Sequence, residues 1–376
     1  PWAAGPETGS NLARVKVPAN DGTMPQDASN EAFLIANNGT DYYVNIPGDP
    51  NLLDNEYTTA AGSNLNSGKT IDMPMASLRA LLAAYDLDPL DTVHVDTGEY
   101  LLLANVIMAA QDAGVTVLGP VAHRAVLDRA NTSAGSYSFQ FLDADGVTLD
   151  HLAITGGQYG VYVGSSSDSN DITISNSELF GNSSTGIYVL DGNANATINS
   201  NTVYRNPTYG VHVLGNGATV SGNTVYGSGT GIRAQGQGGL STISDNTVFE
   251  NFTYGIYGAS KTLVTGNEVY GHYGSNTRGI YAYGGANAEG NVVHHNYNGI
   301  YANYGSTVID NRVYANLNAG VLINHNSNAD GNRIYDNSIG IWALGSSYGR
   351  VRNNVIYANG NQGIVLSGVN GTRIVN

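Results

Sequence analysis

The chain contains no cysteine, which excludes disulfide staples and thiolate metal sites. Lysine is nearly missing as well, with Lys16, Lys69 and Lys261 the three that occur. Fifteen Lys and Arg stand against 30 Asp and Glu, for a formal net charge of −15. The broad basic footprint that a nucleic-acid partner requires is therefore not there. No apolar run approaches the ~18 residues that span a bilayer, so membrane insertion is not expected. The sequence opens Pro1-Trp2-Ala3 without an initiator Met and reads as a processed or trimmed chain. What is abundant is glycine, 49 of 376 residues, beside an apolar share of 41%. That much apolar surface can offset chain entropy, so simple disorder is excluded.

From about residue 145 the chain repeats itself. Ile198-Asn199-Ser200-Asn201-Thr202-Val203-Tyr204 returns as Val220-Ser221-Gly222-Asn223-Thr224-Val225-Tyr226. The frame recurs at Asn246, Asn267, Asn291, Asn311, Asn332 and Asn354, at spacings of 22, 23, 21, 24, 20, 21 and 22 residues from Asn201 onward. After each frame comes Gly followed by Ile or Val, as in Gly231-Ile232, Gly255-Ile256 and Gly279-Ile280. A period of 20 to 24 residues with short strands and no helical stretch means one solenoid coil per repeat. A lone coil cannot bury its apolar side; coils stacked about 4.8 Å apart build one continuous core. The repeated Asn is expected to stack in a ladder at one corner, and the Gly to serve a tight turn.

This pattern resembles the right-handed parallel β-helix (pectate-lyase-like) superfamily over roughly residues 90–376. The resemblance implies an all-β fold, a parallel solenoid of about ten coils. Upstream, Tyr42-Tyr43-Val44-Asn45, an Asn/Gly-rich loop and Asp91-Thr92-Val93-His94-Val95 through Gly98-Glu99-Tyr100 are similar to the N-terminal entry of secreted β-helix polysaccharide lyases. Leu90 stands where that entry usually has Gly. Ser77 is placed to cap a short helix whose Leu78, Leu81, Leu82 and Tyr85 share one face and plug the end of the core. The chain thus divides into residues 1–37, 38–90 (entry and cap) and 91–376 (solenoid). Residues 1–37 read either as the last hairpin of an immunoglobulin-like module or as an extended arm. The final Gly371–Asn376 begins another coil with no cap, so further domains are expected at both ends.

Placing Ile or Val inward after each Gly leaves one outward position per coil. Those positions hold Tyr162, Tyr188, His212, Arg233, Tyr257, Tyr281, Tyr301, Leu322, Trp342 and Val365. Aromatic faces stack on sugar C–H surfaces, and Arg or His binds carboxylate or sulfate. The alternative is that Tyr simply packs well on an exposed sheet. A second outward series, from Tyr204, Tyr226, Phe249 and Tyr270 through His294, Tyr314 and Tyr335 to Tyr357, is uniform enough to be scaffold. Cations cluster at Arg205, His212, Arg233, Lys261, His272 and Arg278. β-Helix lyases, which the chain resembles, use such residues to remove the C5 proton of a uronate and stabilise the enolate-like charge. The resemblance implies His212 or Lys261 as base, Arg233 as charge stabiliser, Tyr257 or Tyr281 as proton donor. Tyr162, Tyr188, Tyr281, Tyr301, Trp342, Arg205 and Arg278 would then line the substrate path.

Other signals are thin. His294-His295 and His325 lack ligand spacing for zinc, and Asp143-Ala144-Asp145-Gly146 lacks the ligand string of a Ca²⁺ loop. No metal site is expected, and no cofactor unless Ca²⁺. The Asp-Pro-His-Glu tetrad of alginate C5-epimerases does not occur, and no paired Asp stands out on adjacent coils as a pectinase-type hydrolase needs. Two functions stay open: a secreted or cell-surface glycan-interacting module, with lyase action on an acidic polysaccharide as its catalytic form, and a non-catalytic adhesin or structural surface module.

Overall fold

A computed structural model describes residues 40–345 and 348–375, together with four short strands between residues 10 and 35. Ser10–Ala13 pairs antiparallel with Phe33–Ile35, and Lys16–Pro18 with Gln26–Ala28. The choice between immunoglobulin-like remnant and arm lies largely outside the described residues.

From Thr92 onward the described residues wind into a right-handed coil of parallel strands, which the strand Asp41–Val44 joins by pairing with Thr92–Val95. One sheet stacks twelve short strands, from Gly98–Leu101 to Val355–Tyr357, each parallel to its neighbours. A wider sheet wraps the other two sides of the coil. The solenoid therefore has about twelve turns, not about ten. The additional turns, carrying Gly98–Leu101 and Ala125–Asp128, lack the Asn frame, and periodicity passes over them. At the entry, the helix Leu78–Ala84 is capped by Ser77, whose side chain accepts the Ala80 amide. Its Leu78, Leu81 and Leu82 join the buried core.

The short-strand column Val203, Val225, Val248, Val269, Val293, Val313 and Ile334 is buried. Beside it Asn201, Asn223, Asn246, Asn267, Asn291, Asn311 and Asn332 are buried too. From Asn223 onward each amide oxygen accepts twice from the preceding coil: Asn267 Oδ1 takes the Asn246 backbone N–H at 3.0 Å and its Nδ2 at 2.9 Å. Nδ2 in turn donates to main-chain carbonyls, in Asn267 those of Ile243 and Thr265. The ladder thus closes turn polar groups that burial would otherwise orphan. The residue before each ladder Asn is left-handed, for example Ser200 (φ 58°), Asp245 (φ 57°) and Gly266 (φ 66°). Those sites favour Gly, Asn and Asp over branched side chains.

A second ladder five residues on was not anticipated. It runs Asn182, Asn206, Ser228, Asn251, His272, Asn296, Asn316 and Asn337, linked by the same side-chain acceptances. Its sequence signal is the Asn five places after the first, as in Asn291 and Asn296 or Asn311 and Asn316. The Gly of each Gly-Ile pair also acts differently from the turn expected. A Cβ on Gly231 would lie 2.6 Å from the Gly255 carbonyl oxygen, and the same clash repeats along the column. These glycines permit close stacking of backbone on backbone.

His272 fills an Asn position, with Nδ1 at 2.7 Å from Asn296 Oδ1 and Nε2 at 3.4 Å from Asn251 Nδ2. Those partners fix Nδ1–H as donor and leave Nε2 facing an NH₂ group, so the ring is neutral. Burial holds its pKa down at about 4, against the Asn296 contact that favours the charged form. His272 is thus a core rung, not a member of a surface cation cluster.

Two outcomes test this core. Asn267→Leu should lower Tm, each orphaned buried group costing about 1–3 kcal/mol; an unchanged Tm would reduce the ladder to turn formation. Because the folded pKa of His272 lies below the unfolded value near 6.5, stability is full above that value. It falls as pH drops toward 4, by on the order of 3 kcal/mol. His272→Asn should flatten that part of the pH–stability curve in denaturant titrations.

Candidate functional site

The broad side of the coil carries the outward ladder in register. Tyr162 pairs with Tyr188, Tyr188 with His212, His212 with Arg233, Arg233 with Tyr257, Tyr257 with Tyr281, and Tyr281 with Tyr301. The column continues through Leu322 to Trp342, whose Nε1 donates to Ser367 Oγ. A parallel file just before each Gly adds Tyr159, Tyr209, Tyr254 and Arg278, with Tyr137 in register before Tyr159. Sequence reasoning followed the position after Gly-Ile and overlooked this file, although Tyr159-Gly160, Tyr209-Gly210 and Tyr254-Gly255 recur on every second coil.

The two files interlock around two arginines. Arg233 Nη1 donates to Tyr209 Oη at 2.9 Å, and its guanidinium lies 5.2 Å from the Tyr257 ring centre. Arg278 Nη1 donates to Tyr254 Oη at 3.0 Å and lies 4.8 and 4.6 Å from the Tyr281 and Tyr301 ring centres. Both arginines are half-buried. Their Nε atoms are buried without a hydrogen-bond partner. Among the described residues neither forms an ion pair with a carboxylate. Cation–π contact partly offsets the desolvation of each guanidinium, but no anion neutralises it.

Burial raises the pKa of the Tyr257 and Tyr281 phenols, in Tyr257 against the opposing pull of Arg233. Both stay protonated near neutrality and can donate hydrogen bonds. Asn303 Nδ2 donates to Tyr281 Oη and Asn324 Nδ2 to Tyr301 Oη, each at 3.3 Å, which fixes the rings from the opposite flank.

Other sequence-nominated residues fall elsewhere or in different roles. His212 is in the ladder but buried, packed 4.9 Å from the Tyr188 ring and 4.4 Å from the Tyr209 ring. Neither of its ring nitrogens has a partner. Burial, then the Arg233 charge, lowers its pKa to about 3. A base must reach its proton and have a pKa near the working pH; His212 does neither. Lys261 lies four residues beyond Tyr257 and its Nζ donates to the Gly238 carbonyl. Arg205 belongs to the short-strand side, at a left-handed turn position (φ 54°) beside Tyr204, and does not join the face. There the other aromatic series stacks nearly parallel, Tyr204 on Tyr226 with centroids 5.0 Å apart and 2° between planes.

Among the described residues no group of three His, Asp or Glu is placed to hold a metal. Asp145 Oδ1 accepts the Asn170 amide, joining one coil to the next. A hollow of about 350 Å³ lined by Asp330, Arg350 and Arg352, and an apolar groove of about 320 Å³ beside Leu101 and Leu103, lie apart from the aromatic face. That face is open and extends along the coil axis.

The family model for the right handed beta helix region matches residues 91–225, 135–287 and 256–376, overlapping stretches that run through the solenoid. The chain belongs to that family. Among solved structures it is similar to the Azotobacter vinelandii mannuronan C-5 epimerase AlgE4 A-module (TM-score 0.54, 15% identity, 76% of this chain and 88% of that one). It is also similar to XylC in complex with xylose (TM-score 0.55, 9% identity, 85% and 75%). The Arthrobacter chlorophenolicus A6 DFA-IIIase is a third (TM-score 0.53, 12% identity, 72% and 88%). At these identities the likeness shows a shared β-helix fold. No curated protein matches by sequence.

His212→Phe should leave Tm unchanged or raise it, since an imidazole buried without partners costs free energy that a phenyl ring does not. A marked drop in Tm would show that His212 has a polar partner.

Proposed function

We propose that the tyrosine and arginine face binds an acidic polysaccharide lying along the coil axis. The observation that carries this reading is the pair of half-buried guanidiniums without a carboxylate partner, set among tyrosine rings. A desolvated, uncompensated cation is costly on its own, and an incoming carboxylate or sulfate relieves that cost through charge-assisted hydrogen bonds. The rings offer faces and edges to sugar C–H surfaces, and each coil advances about 4.8 Å, close to the length of one sugar ring. Of the carbohydrates in the names of the fold neighbours, mannuronan is an acidic polysaccharide and xylose a neutral sugar, so the first agrees with this reading in chemical class. Polysaccharides of this kind are extracellular, so the reading also puts the protein outside the cell or on its surface.

Binding is favoured over elimination by one observation. The two bases considered, His212 and Lys261, are respectively buried with a depressed pKa and held on the Gly238 carbonyl. Arg233 and Tyr257 thus stand without a partner suited to take the C5 proton. The non-catalytic surface module is the form of this function that the geometry supports best.

Calorimetry with acidic oligosaccharides, with and without Ca²⁺, tests the proposal. Arg233→Ala should abolish or strongly weaken binding at unchanged Tm. Tyr281→Ala should cost about 1–3 kcal/mol, the range for aromatic stacking on nucleobases. Variants that bind every acidic glycan as the parent does would return the ladder to scaffold. A rise in absorbance at the unsaturated-uronate band would instead establish elimination.

A further inference from the structure

Arg233 and Arg278 follow one plan of contacts from different files, Arg233 from the outward ladder and Arg278 from the file before Gly. Each donates Nη1 to the hydroxyl of a tyrosine 24 residues earlier, Tyr209 or Tyr254. Each lies over the outward ladder's rings, keeps a buried Nε without a partner, and among the described residues meets no carboxylate. The plan repeats two coils on, since Arg233 registers with Tyr257 and Tyr257 with Tyr281, the ladder residue of the Arg278 coil. The coil between them presents Tyr254 and Tyr257 in the two files, and the cation of its strand, Lys261, lies four residues beyond Tyr257 with Nζ donating to the Gly238 carbonyl. Two coils correspond to about 9.5 Å along the axis, close to two sugar rings of an extended chain.

From this spacing we infer that the ligand carries its anionic groups on alternate sugars, one at Arg233 and the next at Arg278, with a neutral sugar over Tyr257. The inference rests on the glycan-binding reading above and adds the charge pattern of the substrate. A carboxylate on the middle sugar would face the Tyr257 ring, whose coil brings no arginine of its own, and would have to share the Arg233 guanidinium beside that ring with the first anion. The protein's own charge of −15 disfavours polymers of high charge density in the same direction. Two isolated cations on an acidic chain select a sparsely charged polyanion.

Hyaluronan hexasaccharide, with a carboxylate on every second sugar, and hexagalacturonate, with one on every sugar, are the discriminating probes. Xylohexaose is the uncharged control. With the full chain, hyaluronan hexasaccharide should bind more tightly than hexagalacturonate. Arg233→Gln and Arg278→Gln should each weaken it by about tenfold, the worth of one charge-assisted contact. The double variant should show roughly the product of the two losses, with Tm as the check on folding. Equal or tighter binding of hexagalacturonate overturns the alternate-charge pattern. So does a loss confined to one of the two arginines, while in both cases glycan binding itself survives. If none of the three binds the parent protein, the glycan reading falls and the pattern falls with it.

Discussion

Stacking one coil directly on the next imposes a single constraint from which most of this molecule follows. Every turn that enters the interior must have its N–H and C=O groups satisfied by the coil above or below. The two asparagine ladders meet that demand, because an amide both donates and accepts and repeats at the coil spacing. Left-handed residues set the amides at the corners, and a glycine column lets adjacent backbones approach. The valine and isoleucine columns then pack without gaps between fixed corners. His272 shows how narrow the requirement is. Imidazole substitutes for an amide only as the neutral Nδ1–H tautomer, donating to Asn296 and presenting Nε2 to Asn251.

The same regularity organises the surface. Once coils are in register, any residue at a given place in the repeat becomes a column, and columns on one side become a long face. On the short-strand side the rings lie flat on one another, which fills surface uniformly and shields the valine column. On the broad side the uniformity breaks. Two arginines interrupt the tyrosines of the two files, and among the described residues neither guanidinium meets an anion. Departures from a repeat that the core does not require are where binding chemistry is to be sought. The family fold hosts several carbohydrate chemistries on different side chains, so that local departure carries the functional argument here.

Much of this was legible beforehand. The Asn spacing gave the solenoid, its core column and the ladder, because a period of 20 to 24 residues has few other physical solutions. The outward column was legible too, since side-chain direction alternates along a strand. The turn count fell short where early coils use other residues at the corners. The second ladder and the Tyr209–Tyr254 file were present as patterns but followed offsets that had not been traced. Residue roles were a different matter. Arg205, His272 and Lys261 are near Arg233 in sequence, yet one belongs to another side, one to the core and one to a carbonyl.

The sequence by itself determined a cysteine-free, acidic, right-handed solenoid with an asparagine-lined interior and a tyrosine-rich exterior. Repetition encodes those properties directly: each coil restates the same inward and outward choices. Only the tertiary structure decided which cations have partners. Whether a guanidinium stands paired or alone depends on side chains 23 or 24 residues away that stacking brings within a few ångströms. It also turned His212 from a candidate base into a buried, uncharged ring, because its protonation is set by the tyrosines that cover it and the Arg233 charge beside it.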